Sequence, residues 1–139
     1  MIRLIYTSRE FRPLSEADLK RLVTRSRIRN EQNSVTGFLY YSAGTFLQML
    51  EGDEAAVNAT FARIEDDYRH VVHSILVRET IAERFFDNWS METANPTKTS
   101  KILRDFFQID QDLDLTKLDA DKALLLFEAF RGANKALRL

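Results

Sequence analysis

The chain has no cysteine, only four glycines and two prolines, and a single tryptophan among its 139 residues. The absence of cysteine excludes disulfides, thiol nucleophiles and thiolate metal sites. The few glycines form no phosphate-binding loop, no GxGxxG fingerprint and no nucleophile elbow. The motifs therefore give no reason to propose dinucleotide chemistry or hydrolysis.

The chain also lacks a charge excess of either sign. Its 20 basic and 21 acidic residues leave a formal net charge of -1, and no run of Lys or Arg marks a nucleic-acid-binding surface. The apolar start from Met1 to Tyr6 turns polar by Ser8, unlike a signal peptide or a membrane span. We therefore expect a cytoplasmic protein without a nucleic-acid or membrane partner.

What the chain does have is enough apolar residues, 45%, to build the core of one domain with a small appendage. Hydrophobic periodicity, turn residues and a capping pattern at Ser15 predict its elements. These are a strand near residues 2–7, a helix from Ser15 to about Asn30, strands over 35–42 and 45–51, a helix after Gly52, strands over 74–81 and 89–93, and helical segments over 101–107 and 119–137.

The order βαββαββ predicts an α+β, ferredoxin-like sheet with two helices on one face. Leu47, Met49, Leu76 and their neighbours supply apolar side chains to both faces of several predicted strands, so the second face of the sheet needs a cover. We assign that cover to a C-terminal helical extension, residues 96–139, which follows a first unit of residues 1–95.

Two polar side chains are predicted to share the helix-covered face. Strand alternation places Gln48 with Phe46 and Leu50, and Tyr6 with Ile2 and Leu4. A buried amide or phenol needs hydrogen-bond partners. Each alone is compatible with an ordinary core residue, but the topology puts the two strands side by side, so Tyr6 and Gln48 are expected to be neighbours.

Three more polar residues have two interpretations each. Arg63 and Asp67 are spaced as an i, i+4 ion pair on the second helix, or lie at the rim of a cleft between the helices. Asn30 either caps the first helix or presents its amide to a heterocyclic ligand.

Two groups of residues only resemble metal sites. His70 and His73 have no further His or Cys to complete a zinc set, and we assign both to the surface. The run from Asp110 to Asp114 resembles the opening of a calcium loop, but Leu115 stands where that loop needs glycine.

Several short motifs together resemble the BLUF family of flavin photoreceptors over about residues 1–95. They are Leu4-Ile-Tyr-Thr-Ser8, Arg29-Asn30, Val35-Thr-Gly-Phe-Leu-Tyr40, Phe46-Leu-Gln-Met-Leu-Glu-Gly52 and Trp89-Ser-Met91. The resemblance implies FAD as a non-covalent cofactor held between the two helices, in a pocket that also accepts FMN or riboflavin.

The same resemblance implies roles for individual residues. Tyr6 matches the electron and proton donor, and Gln48 the amide that bridges it to the flavin. Asn30, Arg63 and Asp67 match residues that bind the flavin ring. Trp89 and Met91 match a signal-relay pair on the fifth strand, and the resemblance leaves open which of them faces the flavin.

Short members of the family are photosensors without turnover of their own that signal to separate partners, cyclic-nucleotide enzymes among them. We expect such a partner here, together with self-association into a homo-oligomer. The alternative is a ferredoxin-like regulatory module that binds a small molecule without photochemistry. An acylphosphatase-type enzyme shares only the fold and would need a phosphate cradle that is missing here.

Overall fold

The computed structural model describes residues 1–86, 92–93 and 96–131, with only the backbone given at 92–93 and 96–99. The elements in chain order are β1 (Ile2–Glu10), α1 (Glu16–Asn33), β2 (Thr36–Ser42), β3 (Thr45–Gly52), α2 (Glu54–Glu65), β4 (His70–Thr80), β5 (Glu92–Thr93), α3 (Pro96–Phe107), a 3-10 turn (Leu115–Lys117) and α4 (Ala120–Arg131).

The strands form one sheet in the order β4-β1-β3-β2-β5. β3 lies antiparallel between β1 and β2, which are the two strands joined by the α1 crossover, and β4 pairs antiparallel with the outer side of β1. β5 pairs parallel with β2. This is the predicted ferredoxin-like arrangement, because a strand inserted between crossover-linked strands defines the split βαβ topology.

One face of the sheet carries α1 and α2. The apolar residues packed there form the helix-side core, which consists of Ile2, Leu4, Tyr6, Leu19, Val23, Val35, Leu39, Phe46, Leu50, Val57 and Phe61. Because side chains alternate along a strand, the even-numbered residues of β1 and β3 belong to this face.

The opposite face carries the C-terminal helices, as predicted. The cover-side core consists of Ile5, Phe38, Tyr40, Leu47, Met49, Phe86, Leu103, Leu115, Leu118, Ala123, Leu126, Phe127 and Phe130. Two buried hydrogen bonds join cover and sheet: the Tyr40 hydroxyl donates to the Leu126 carbonyl at 3.0 Å, and the Leu115 amide donates to Thr45 Oγ1 at 2.9 Å. The cover is thus fixed in register as well as by apolar contact.

The predicted start of α1 is confirmed and its predicted end is wrong. Ser15 and Asp18 form the expected capping box. The helix continues to Asn33 and ends at Ser34, whose left-handed backbone lets its amide donate to the carbonyls of Asn30 and Glu31. Asn30 is therefore a buried residue inside the helix and not its cap.

The region between α2 and β4 also differs from the prediction. α2 ends at Glu65, so Tyr68 lies beyond the helix and is 87% exposed, although Val57 and Phe61 of the same predicted stripe are buried. β4 begins at His70, four residues before the predicted start. Its pairing with β1 contains two register shifts, and the burial of its residues alternates from His70 to Leu76.

Near the C-terminus, α3 begins at Pro96 instead of near residue 101, since proline suits the first turn of a helix. The described part of α4 ends at Arg131. The rest of the helix predicted to residue 137, and residues 89–91 of the predicted fifth strand, lie outside the described residues.

Candidate functional site

Tyr6 and Gln48 face each other across β1 and β3. They are direct partners in the strand register, and the Tyr6 hydroxyl donates a short hydrogen bond to Gln48 Oε1. Both side chains are buried, and the Tyr6 ring packs edge-on against Phe61 at 5.0 Å between centroids. The sequence prediction that a phenol and an amide meet beneath the helices is confirmed.

This pair forms the floor of a cavity of about 130 Å³ that opens between α1 and α2. The walls combine aliphatic and aromatic side chains with a few polar groups, which is typical of a site for a flat ligand of mixed polarity. The lining residues are Tyr6, Ser8, Leu22, Arg25, Ser26, Arg29, Asn30, Leu39, Phe46, Gln48, Leu50, Thr60, Arg63, Ile64, Asp67, Arg69 and His70.

Asn30, Arg63 and Asp67 all line this cavity, so of the two interpretations of Arg63 and Asp67 the structure supports the cleft rim and not the ion pair. Asp67 lies two residues beyond α2 and accepts hydrogen bonds from Arg69, with Nε to Oδ1 at 2.9 Å. The Arg69 hydrogen bond lowers the pKa of the Asp67 carboxyl below its usual value. Arg63 instead donates to Thr60 Oγ1 at 3.5 Å.

Burial keeps the Tyr6 hydroxyl protonated. Loss of solvent, followed by the nearby negative charge of Asp67, raises the pKa of Tyr6 far above its usual range. Like any tyrosine, Tyr6 holds its proton at neutral pH and can donate it to the Gln48 amide oxygen, and burial extends this neutral range to higher pH.

His70 was wrongly assigned to the surface. Its Nε2 lies 2.7 Å from the Ile64 carbonyl, and its ring makes an edge contact with Phe46. Because a carbonyl only accepts, Nε2 carries the proton in the neutral ring and Nδ1 is the free acceptor. His73 is exposed, as predicted.

Sequence reasoning missed several lining residues that a periodicity search would have found. Ser8 follows Tyr6 by two residues on the same strand face. Arg25 and Arg29, like Ser26 and Asn30, are four residues apart on one side of α1. The predicted relay residues Trp89 and Met91 lie outside the described residues.

The run that resembled a calcium loop has other contacts. Asp112 accepts a hydrogen bond from Arg104, and Asp114 both caps the 3-10 turn and pairs with Arg9 at 3.1 Å. Among the residues described, no helix is both long enough and apolar enough to cross a bilayer.

Comparison with known sequences gives a match to a family of flavin photoreceptors. A family model described as BLUF, sensors of blue-light using FAD, matches residues 1–92. The chain is 35% identical over 92 residues to photoactivated adenylate cyclase subunit beta of Euglena gracilis, an alignment that covers 66% of this chain and 11% of the relative. A subunit alpha-like protein of the same organism is 34% identical over 96 residues, covering 67% and 9%.

Solved structures show the same likeness. The ground state of BlsA superposes with a TM-score of 0.82 at 25% identity, covering 96% of this chain and 89% of that one. The dark state of BlrB, described as a BLUF protein, gives a TM-score of 0.75 at 29% identity, covering 92% and 94%. A bacterial light-regulated adenylyl cyclase gives 0.69 at 32% identity, covering 78% and 33%.

The chain spans about a tenth of the length of the Euglena cyclase subunits, so the likeness to them concerns one segment of each. The family model matches that segment, and the sheet order and the cavity between the two helices are those expected from the sequence. The chain belongs to the BLUF family of blue-light sensors that use FAD.

Proposed function

We propose that the hydrogen-bonded pair of Tyr6 and Gln48 is the photoswitch of this blue-light receptor, and that Asn30, Arg63 and Asp67 hold the flavin ring. The observation that supports this proposal best is the buried phenol–amide hydrogen bond at the floor of the cavity. A core alone would be better stabilised by an apolar pair of the same shape, since buried polar groups cost free energy unless fully paired.

The lining of the cavity suits a flavin. Its aliphatic and aromatic walls suit the ring system, and four arginines at its margin, Arg25, Arg29, Arg63 and Arg69, suit phosphates. Among the described residues, neither Ser8 Oγ nor His70 Nδ1 has a hydrogen-bond partner. Both atoms can therefore form hydrogen bonds with a ligand in the cavity. FMN and riboflavin contain the same ring and are proposed as alternative ligands.

The proposed mechanism uses the chemistry of the two side chains. The bound flavin supplies absorption of blue light and, once excited, accepts an electron. Tyr6 is the proposed source of that electron, and its proton leaves Oη along the hydrogen bond to Gln48 Oε1. Gln48 then rotates or tautomerises, because its amide carries an acceptor on one side and donors on the other. Tyr6 then regains both the electron and its proton at Oη, so it ends in its original redox state, but the hydrogen bonds of Gln48 have changed.

The proposed output runs through the segment that contains Trp89 and Met91 and then through the C-terminal helices. We propose residues 1–95 as the sensor unit and 96–139 as an extension that carries the signal. Its support is the cover-side core, in which Phe127 of α4 packs against Phe38 of β2, the strand next to β3.

The proposed partner is a separate protein, with a cyclic-nucleotide enzyme as the first class to test. In the Euglena relatives a BLUF segment is part of a photoactivated adenylate cyclase, and a Klebsiella pneumoniae structure of this fold is described as BlrP1 with FMN and cyclic diGMP. Homo-oligomer formation and a cytoplasmic location stay predictions. Sedimentation velocity in darkness and in light would test the first.

The decisive experiment is an absorption spectrum of the FAD-loaded full chain before and after blue light, with recovery in darkness. We expect the flavin band to move reversibly to the red. Tyr6→Phe and Gln48→Leu should bind FAD but lose the shift, because each removes one partner of the hydrogen bond. Tyr68→Phe is the matched control, since this tyrosine is 87% exposed, and it should keep the full shift.

Two results would contradict the proposal. A shift that survives in Tyr6→Phe or Gln48→Leu would exclude this pair as the switch. A wild-type chain that binds FAD without any light-induced shift would favour the alternative, a regulatory module without photochemistry.

A further inference from the structure

Glu51 is a fully buried carboxylate on the opposite side of β3 from the cavity. It lies three residues after Gln48, so alternation points it toward the cover. Oε2 accepts from Arg3 of β1, with Nη2 at 2.9 Å, and Oε1 accepts from the backbone amides of Phe85 and Phe86, at 2.8 and 3.3 Å. A buried charge is tolerated only when it is paired and hydrogen-bonded, and these contacts satisfy both oxygens.

Arg84 also connects residues 84–86 to β3, through hydrogen bonds of its own guanidinium. Its Nη1 donates to the Glu51 carbonyl and to Thr36 Oγ1, each at 3.0 Å, and its Nη2 donates to the Ser34 carbonyl at 2.7 Å. Ser34 ends α1, the helix that carries Asn30 into the cavity. Residues 84–86 are therefore joined to β3 and to the end of α1 at once.

The next two residues of the loop reach the cover. The Phe85 ring lies under the guanidinium of Arg131, the last described residue of α4, at 4.5 Å. The Phe86 ring stacks on Phe38 at 5.2 Å and makes an edge contact with Phe127 of α4 at 6.1 Å. Directly after Phe86 comes the segment 87–91, which contains the predicted relay residues.

We propose that Glu51 and Arg84 form a loop anchor: they are positioning residues that hold residues 84–86 to β3 and transmit displacements of that strand to α4. Gln48 and Glu51 share β3 but face opposite sides of the sheet. A change in the hydrogen bonds of Gln48 that shifts the strand must therefore also shift the amides of Phe85 and Phe86. The light-dependent part of this proposal rests on the proposed photoswitch.

The first test is hydrogen–deuterium exchange of the full FAD-loaded chain in darkness. Arg84→Gln removes the three hydrogen bonds of the guanidinium but keeps the Glu51 carboxylate paired with Arg3. We expect the amides of residues 85 and 86 to exchange about tenfold faster, because local opening becomes easier when charged hydrogen bonds are lost. Arg78→Gln is the matched control: Arg78 lies on β4 and donates to Asn58 at 2.8 Å, away from the loop. Its exchange at 85 and 86 should equal that of the wild type.

The second test is the same exchange under blue light, with the flavin spectrum recorded on the same samples. In the wild type, light should change the protection of residues 120–131. In Arg84→Gln the red shift should remain, since Tyr6 and Gln48 are untouched, while the change in residues 120–131 is reduced at least severalfold. A residue with only a structural role would not separate these two signals.

Glu51→Gln is the stronger variant, because it removes the carboxylate charge that accepts from Arg3 and from the amides of Phe85 and Phe86, and among the described residues Arg3 keeps only its ion pair with Glu79 at 2.9 Å. If it folds, it should show faster exchange at residues 85 and 86 than Arg84→Gln. If it does not fold, the Arg84→Gln results alone decide.

The proposal is overturned by unchanged exchange at residues 85 and 86 in Arg84→Gln. It is equally overturned if that variant keeps the full light response in α4, or if wild-type α4 shows no light response despite a normal red shift. Absence of the red shift in the wild type would instead reject the proposed photoswitch. The exchange measured in darkness would still test the loop anchor.

Discussion

Tyr6 and Tyr41 both face the helix-covered side of the sheet but have different hydroxyl partners. Tyr6 donates to an amide, whereas Tyr41 donates to the carboxylate of Glu10, which also accepts from the Leu14 amide at 3.2 Å. Partial burial, followed by the hydrogen bond to Glu10, raises the pKa of Tyr41 to about 12. Desolvation is the main cause of the raised pKa in both phenols, and the second cause is the charge of Asp67 for Tyr6 and the hydrogen bond to Glu10 for Tyr41.

The raised pKa of Tyr41 predicts a loss of stability in alkali. Unfolded Tyr41 ionises near pH 10, so between about pH 10 and 12 the folded state binds more protons and the free energy of unfolding falls as pH rises. Tyr41→Phe should show a smaller fall over this window. Urea unfolding at pH 8, 10 and 11 measures it, with Tyr68→Phe as control. An equal fall in wild type and Tyr41→Phe would contradict the assignment.

At this scale the sequence was enough to place Tyr6 beside Gln48, because strand alternation and topology together fix which side chains share a face. The same alternation put Glu51 on the face of Leu47 and Met49, yet a glutamate at the end of a strand is usually exposed. The burial of Glu51 depends on Arg3 and on the backbone amides of Phe85 and Phe86, which lie 34 and 35 residues later in the chain. No local pattern contains that information, and the same holds for Arg84.

The C-terminal helices cover the second face of the sheet, and this role depends on how they pack against it. α4 buries Leu126 against the sheet, whereas its neighbour Leu125 is 48% exposed. The helical period predicted such a division, but the partner strand could not be derived from it. The contacts of α4 identify β2 as the partner: the Tyr40 hydroxyl donates to the Leu126 carbonyl, and Phe127 packs against Phe38.

The two adjacent leucines give a matched test of the cover. Leu126→Ala should lower the free energy of unfolding by about 2–5 kcal/mol, since it leaves a cavity in a packed core. Leu125→Ala should change it by about 0.5 kcal/mol or less. Urea unfolding followed by circular dichroism measures both. Similar values for the two variants would mean that α4 does not pack on the sheet as described.

Errors of prediction were concentrated where an element's local pattern is interrupted. β4 begins four residues before its predicted start and pairs with β1 through register shifts at Ile5/Tyr6 and Thr7/Ser8. The left-handed cap at Ser34 allowed α1 to run past the predicted end. In both cases backbone hydrogen bonds set the boundary of the element, and hydrophobic periodicity does not specify them.

The whole molecule is nearly neutral, with a formal charge of -1, but the cavity concentrates four arginines against one aspartate. This local excess predicts that the diphosphate of FAD contributes to binding through charge. Raising NaCl from about 50 to 500 mM should weaken FAD binding severalfold, because salt screens exposed charges, and should affect uncharged riboflavin little. Fluorescence titration of flavin-depleted protein measures both affinities. Equal salt dependence would mean that the arginines do not contact the phosphates.

The alternation of β3 has a consequence for engineering. Gln48 and Leu50 face the flavin cavity, while Met49 and Glu51 face the cover, so one strand presents two independently addressable sets of positions. Substitutions at the even positions should alter the absorption spectrum and the lifetime of the lit state. Substitutions at the odd positions should alter the size of the structural change that reaches α4. In a light-controlled tool built on this domain, the lifetime of the lit state and the strength of its output could therefore be adjusted separately, at neighbouring positions of one strand.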